Sequence, residues 1–284
     1  MRTFWWILAL LPLSLQAQDV IQYQAATESP VSQARYIDGD RDKPAIFILH
    51  GFLATYDFPT VQGLQDYFSF AGYPTLAPTL SLGIPLRKSS LNCNSLHTHT
   101  LEQDINEIFG WIEWLEQQGH DNIILIGHSS GSQQLLEALG QKQPDSIKAA
   151  FLTSLFFLNS ERLGIKTEDL TKAKTALQQN NLKPQKYNFL YCQNDYLATP
   201  QSYLSYMVST RQRVLELLNK IELPTYSVMG SQDSRYQQVG SDWIAQLQQT
   251  RSQVVMIEGA NHFFSHDHEP QLHRTILQLI EQLE

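Results

Sequence analysis

Basic residues are scarce and scattered. The 20 Lys and Arg are outnumbered by 28 Asp and Glu, for a formal net charge of −8, and no basic run is present that could track a phosphate backbone. Nucleic acid is therefore not an expected partner. Charged residues of both kinds make up 17% of the chain against 42% hydrophobic residues, which excludes the composition of a disordered protein. The mean hydropathy of −0.28 fits a globule. Two cysteines, Cys93 and Cys192, in 284 residues exclude a disulfide-stapled miniprotein. No internal repeat, low-complexity tract or Gly/Ser linker divides residues 18–284, so one domain is expected there.

What is present begins with an export signal. Arg2 precedes an almost unbroken apolar stretch from Phe4 to Leu15, then Gln16, Ala17 and polar sequence from Gln18 onward. This is the layout of a secretory signal peptide. The stretch falls short of the roughly 20 residues needed to span hydrocarbon. Residues 1–17 are read as a signal cleaved near Ala17, and the mature chain as periplasmic or secreted, without a stable membrane span. Cys93 and Cys192 then meet an oxidising compartment where pairing is allowed; the sequence leaves open whether they meet.

Short apolar runs alternate with helical patterns. Ala45–Leu49 and Asn122–Ile126 are β-branched and lack polar alternation, as expected of parallel strands covered on both faces. Between them, Leu101, Ile105, Ile108, Ile112 and Leu115 recur at steps of three and four, with Thr100 and Gln103 as a capping box. Further strands are expected at 147–152, 224–229 and 253–257, with helices at 132–140, 239–249 and 267–283. The last starts with Asp267 as its cap and Pro270 in its first turn. Strand, helix, strand in succession predicts a parallel sheet between helical layers, an α/β fold. Residues 154–222 interrupt the rhythm. They are read as an insertion over the sheet edge, a cap or lid: a helix at 167–180 with Leu170, Ala173 and Leu177 on one face, an apolar stretch Tyr187–Cys192, and a helix at 201–221. Its aromatics, among them Phe156, Phe157, Tyr191 and Tyr196, suit either an acyl pocket or plain core.

Gly127-His128-Ser129-Ser130-Gly131 follows one apolar strand directly and opens a helix. Small residues permit the sharp strand-to-helix turn that presents a serine at the sheet edge. A serine hydroxyl is a weak nucleophile and needs a base with a third group orienting it. His262, just after the last strand, fits the base, and Asp233 occupies the equivalent place after the preceding strand. Asp195 is the reserve acid should the insertion belong to the sheet. Donors are also needed for the oxygen that becomes negative. His50-Gly51-Phe52 follows another strand, so the Phe52 and Ser130 amides are assigned to it, and His50 is read as a loop residue bonded to backbone. His97 and His99 are read as a surface loop rather than a metal site, because no third ligand accompanies them; His266 and His268 are read as solvated.

On these residues the chain resembles the α/β-hydrolases of the lipase and esterase type over nearly its whole mature length. The resemblance implies an eight-stranded, mostly parallel sheet, a Ser129, Asp233 and His262 triad, no cofactor or metal, and hydrolysis of a small-molecule ester or acyl substrate through an acyl-enzyme. A thioesterase or acyltransferase would use the same triad, and a binding protein could keep the fold alone. The chain departs from many relatives in carrying Ala77–Gly83 where they have D-x-x-G-x-G-x-S. It also lacks the His-Gly-Gly-Pro-Gly loop of proline iminopeptidases, and has serine where dehalogenases and epoxide hydrolases have aspartate. Gly131-Ser132-Gln133 is loosely similar to a subfamily that includes siderophore esterases.

Overall fold

The computed structural model describes residues 18–27 and 29–283; the expected signal, 1–17, lies outside them. The strands are β1 (Gln18–Tyr23), β2 (Ser32–Ile37), β3 (Ala45–Leu49), β4 (Thr75–Thr79), β5 (Ile123–His128), β6 (Ile147–Thr153), β7 (Gln185–Phe189), β8 (Cys192–Ala198), β9 (Thr225–Gly230) and β10 (Gln253–Ile257). Eight of them form one sheet in the order β1-β2-β4-β3-β5-β6-β9-β10, while β7 and β8 pair separately. β2 is antiparallel to both β1 and β4, and every other pairing in the large sheet is parallel.

The apolar runs are continuous because both faces of the sheet are covered. Along β3, Phe47 and Leu49 enter one core and Ile46 and Ile48 the other; along β5, Ile123 and Leu125 are separated from Ile124 and Ile126 in the same way. Helices α1 (Pro59–Phe70) and α9 (His268–Glu281) cover one face through Val61, Leu64, Phe68, Leu272, Ile276 and Ile280. Helices α2 (Leu101–Gln117) and α3 (Ser130–Gln141) cover the other. The start of α2 is fixed by Thr100, whose Oγ1 accepts from Gln103 N at 3.3 Å while Gln103 Oε1 accepts from Thr100 N at 2.9 Å. Asp267, by contrast, makes no side-chain cap at the start of α9.

Between β6 and β9 the structure differs from the periodicity reading in several places. Helix α4 (Thr167–Gln178) buries Asp169, Ala173 and Ala176 and leaves Leu177 exposed. The face is turned toward Asp169 because its Oδ2 accepts from both Asn188 N and Asn188 Nδ2 at 2.8 Å. The stretch Tyr187–Cys192 is the tip of the β7–β8 hairpin, outside the large sheet. The single helix expected at 201–221 is two, α5 (Pro200–Tyr206) and α6 (Arg211–Lys220), each opened by its own threonine cap, Thr199 and Thr210. Asn159 holds the intervening turn, donating from Nδ2 to Met207 O and from its amide to Ser209 O. The helix expected at 239–249 is shorter, α8 (Trp243–Leu247), and is preceded by a separate helix, α7 (Ser234–Val239), that ends where Gly240 takes a φ of 134°.

The hairpin is anchored to the loop before α2 twice over. Cys93 and Cys192 form a disulfide across 99 residues. Beside it, His97 N donates to Leu197 O (2.8 Å), Leu197 N to Cys93 O (3.1 Å) and Thr199 N to His97 O (3.0 Å). Among the described residues no helix is long and apolar enough to cross a membrane.

Candidate active site

Ser129 stands between β5 and α3 with φ 57° and ψ −123°, a region that an L-residue occupies only when its surroundings impose it. The surroundings are backbone at close quarters. A Cβ on Gly127 would lie 2.8 Å from Ser132 Cα, and one on Gly131 would lie 2.4 Å from His50 O, so both positions need glycine. Ser129 N donates to Thr153 O at 3.0 Å. The Ser132 hydroxyl lies 2.9 Å from both Gly127 O and Thr153 O, and Gln133 Nε2 donates to Phe156 O. Ser132 and Gln133 thus tie the turn to neighbouring backbone.

His262 and Asp233 meet Ser129 from the next strand ends. His262 follows β10 and Ser154 Oγ donates to its carbonyl at 2.7 Å. His262 Nε2 lies 2.9 Å from Ser129 Oγ, and His262 Nδ1 lies 2.8 Å from Asp233 Oδ2. The carboxylate accepts, so Nδ1 carries the proton and Nε2 is free to accept from the serine. Asp233 is fully buried and also caps α7, its Oδ1 accepting from Arg235 N at 2.8 Å. One oxygen thereby fixes the carboxylate while the other orients the imidazole. Asp195 sits on the exposed edge of the hairpin, paired with Lys186 Nζ at 2.9 Å, because β8 stands outside the sheet whose ends carry the other groups.

The turn after β3 lies against the serine: a Cβ on Gly51 would come within 3.2 Å of Ser129 Cβ. Phe52 lines the cavities on both sides of this turn, and Ser130 lines the second of them. The Phe52 ring is held by the hairpin, 5.0 Å from Phe189, 5.4 Å from Tyr191 and 5.8 Å from Tyr196, centroid to centroid. His50 is bonded to backbone on both nitrogens, Nδ1 to Gly51 O (2.8 Å) and Nε2 to Leu80 N (3.1 Å). Burial and the nearby Arg87 hold it neutral, pushed down to about 3.

Arg87 carries no motif, and the sequence reading misses it. It is 4% exposed and donates to Leu80 O, Ala54 O and Ser89 O, bracing the turn from behind. His97 and His99 are not a surface loop: they are 0% and 5% exposed. His97 stacks on Tyr196 at 4.3 Å, and His99 Nδ1 lies 3.0 Å from the Tyr206 hydroxyl. The pinned hairpin covers them. Among the described residues no group of three or more His, Cys, Asp or Glu is placed to hold a metal ion.

A cavity of about 120 Å³ opens over Ser129, lined by Phe52, Phe58, Phe156, Leu190 and Tyr191 beside His128 and His262, with Arg235 at its edge. The walls are mostly aromatic and aliphatic, with Ser129 and His262 among the lining residues, the general form of a small-molecule site.

A family model described as the alpha/beta hydrolase fold matches residues 44–170. The chain has the α/β-hydrolase fold. Among solved structures this α/β-hydrolase-fold chain is similar to the alpha/beta hydrolase GrgF from Penicillium sp. sh18, at 14% identity and a TM-score of 0.71, covering 94% of this chain and 98% of that one. It is similar to Est1E from Butyrivibrio proteoclasticus at 17% identity and a TM-score of 0.65, covering 93% and 98%. The thioesterase domain from the curacin biosynthetic pathway matches at 17% identity and a TM-score of 0.56, covering 92% and 99%. A search of curated protein sequences finds no match.

Proposed function

We propose that the protein is an exported serine hydrolase that cleaves a carboxylic ester through an acyl-enzyme. The observation that carries this reading is the unbroken hydrogen-bonded chain Ser129 Oγ, His262 Nε2, His262 Nδ1, Asp233 Oδ2 at the wall of an apolar cavity. Ser129 Oγ attacks the carbonyl carbon as His262 Nε2 takes its proton. The Phe52 and Ser130 amides receive the oxygen as it becomes negative. Asp233 stabilises the imidazolium, which then protonates the departing alcohol; a water activated by the same histidine releases the acid. The Cys93–Cys192 bond supports an oxidising compartment.

A fluorophosphonate probe tests the nucleophile. The mature protein is expected to be labelled, the Ser129→Ala variant not, and ester turnover is expected to fall by about 10⁴-fold or more in that variant. Equal labelling of the two proteins would overturn the assignment. Product analysis with an added alcohol or thioester separates hydrolysis from acyl transfer at the same serine.

A further inference from the structure

Behind the Gly51–Phe52 turn lies a second cavity of about 20 Å³, walled by Leu82, Leu158 and Phe189 with His99, Gln134 and Tyr206. It shares Gly51 and Phe52 with the first cavity and touches Ser130, while neither Ser129 nor His262 is among its walls. On the reading proposed above, His262 must protonate the departing alcohol, so the alcohol occupies the cavity that His262 lines. The acyl group then extends past the oxyanion donors, toward the second cavity. Its free space admits about one water-sized group.

Above about pH 7, where Asp104 is ionised, the polar wall of that cavity has a defined hydrogen-bond direction. Asp104 Oδ2 accepts from Gln134 Nε2 at 2.8 Å and also from the Tyr206 hydroxyl. The tyrosine's one proton is thereby used, and its oxygen accepts from His99 Nδ1–H at 3.0 Å. A neutral imidazole has one N–H, which leaves His99 Nε2 a bare acceptor. Burial, with Arg87 close by, holds His99 neutral, its pKa pushed down to about 3. His99 Nε2 is buried and without a partner among the described residues. An unpaired buried acceptor opposes folding, and His99 is one of the residues that line the second cavity beside the Gly51–Phe52 turn.

We propose that the second cavity receives the acyl side of the substrate and that His99 Nε2 accepts a hydrogen bond from a hydroxyl on it. The favoured substrate is then an ester of a short hydroxy acid. A wall built to pair with a hydroxyl rejects the analogue without one more strongly than an apolar wall rejects a missing methylene.

The test compares matched ethyl esters on the intact enzyme: lactate against propanoate, and each enantiomer of 3-hydroxybutanoate against butanoate. In at least one pair the hydroxy ester is expected to have a kcat/KM about tenfold higher or more. His99→Phe is expected to bring that ratio below about twofold while turnover of the unsubstituted ester stays within about threefold. No preference in either pair overturns the proposal, as does an equal loss on both members of a pair in His99→Phe, the mark of a purely structural role. If that variant fails to fold, Leu158→Phe, which fills the cavity from another wall, is expected to erase the preference; retention of the full ratio overturns the proposal. Failure of every ester together with absent fluorophosphonate labelling overturns the hydrolase reading instead. Calorimetry of Ser129→Ala with 3-hydroxybutanoate and butanoate then reads the subsite without turnover: tighter binding of the hydroxy acid supports it, and equal affinities overturn it.

Discussion

The large sheet and the segment inserted between β6 and β9 place their side chains by different physics. In the sheet, position follows from strand register and from apolar residues on both faces, so that the groups just past β5, β9 and β10 are brought to one edge, where they hydrogen-bond to one another. In the inserted segment, position comes from covalent and polar fasteners: a disulfide, the Asp169–Asn188 pairs, and backbone bonds between 93–97 and 197–199. The first kind of order is cooperative with folding itself. The second can be removed piece by piece, and the surroundings of Ser129 depend on both, because the Phe52 ring is lodged in the hairpin's aromatics.

The largest effect that bears on this contrast compares two aspartates. Asp233→Asn, at a strand end of the sheet, is expected to lower kcat by about 10⁴-fold, whereas Asp195→Asn, on the hairpin, should leave it within about twofold. Steady-state kinetics on the ester used for Ser129→Ala decides it, and a large loss in the second variant alone would reverse the roles of the two regions. Replacing Cys93 and Cys192 together by serine comes next. Stability is expected to fall by about 2 to 5 kcal/mol, read by denaturant unfolding, with hydrogen exchange rising across β7 and β8 before β3 and β5. A uniform rise across all four strands would mean that the two regions open as one unit.

The smallest effect concerns acid. Burial raises Asp104 and Glu107 to about 7, so between about pH 7 and 4 the native state takes up protons ahead of the unfolded chain, and these two groups favour folding as pH falls. Burial lowers His50 and His99 to about 3, and His97 and His273 to about 4. Below the ordinary histidine value the unfolded chain protonates first, so these four favour unfolding over the same range. The histidines outnumber the carboxylates, and urea midpoints at pH 7, 5.5 and 4 are expected to decline. Asp104→Asn removes one opposing group and should make that decline steeper; a shallower decline would contradict the assignment of Asp104.

The same contrast explains which parts of the molecule are legible in the amino-acid sequence. The sheet is legible at β3 and β5 because two buried faces demand unbroken apolar runs, and α2 because Thr100 and Gln103 announce its start. The loops after β9 and β10 can be placed because chain order ties Asp233 and His262 to strand ends, and the structure brings both to Ser129. The hairpin is illegible: Lys186, Gln193 and Asp195 break any apolar pattern because one side of it faces solvent, and Asn188 breaks it because it is buried against Asp169 instead. His97 and His99 read as exposed because what buries them arrives from about 100 residues further along the chain. Arg87 and Asp104 give no signal at all, because a buried charge satisfied by distant carbonyls or hydroxyls leaves no local spacing to detect.

The double attachment of the β7–β8 hairpin has a consequence for turnover. Its tip residues Leu190 and Tyr191 form part of the cavity wall over Ser129, yet the tip is stapled through Cys192 and the base is held by the bonds of Leu197 and Thr199. Such a hairpin cannot swing aside as a body. On the proposed reading, admission and product release then fall to rotamer changes of Tyr191, which is half exposed, on the picosecond-to-nanosecond scale of surface side chains rather than the microsecond-to-millisecond scale of segment opening. On the proposed esterase reading, catalysis is then expected to be independent of any oil–water boundary, and a plot of rate against ester concentration to stay smooth through the solubility limit.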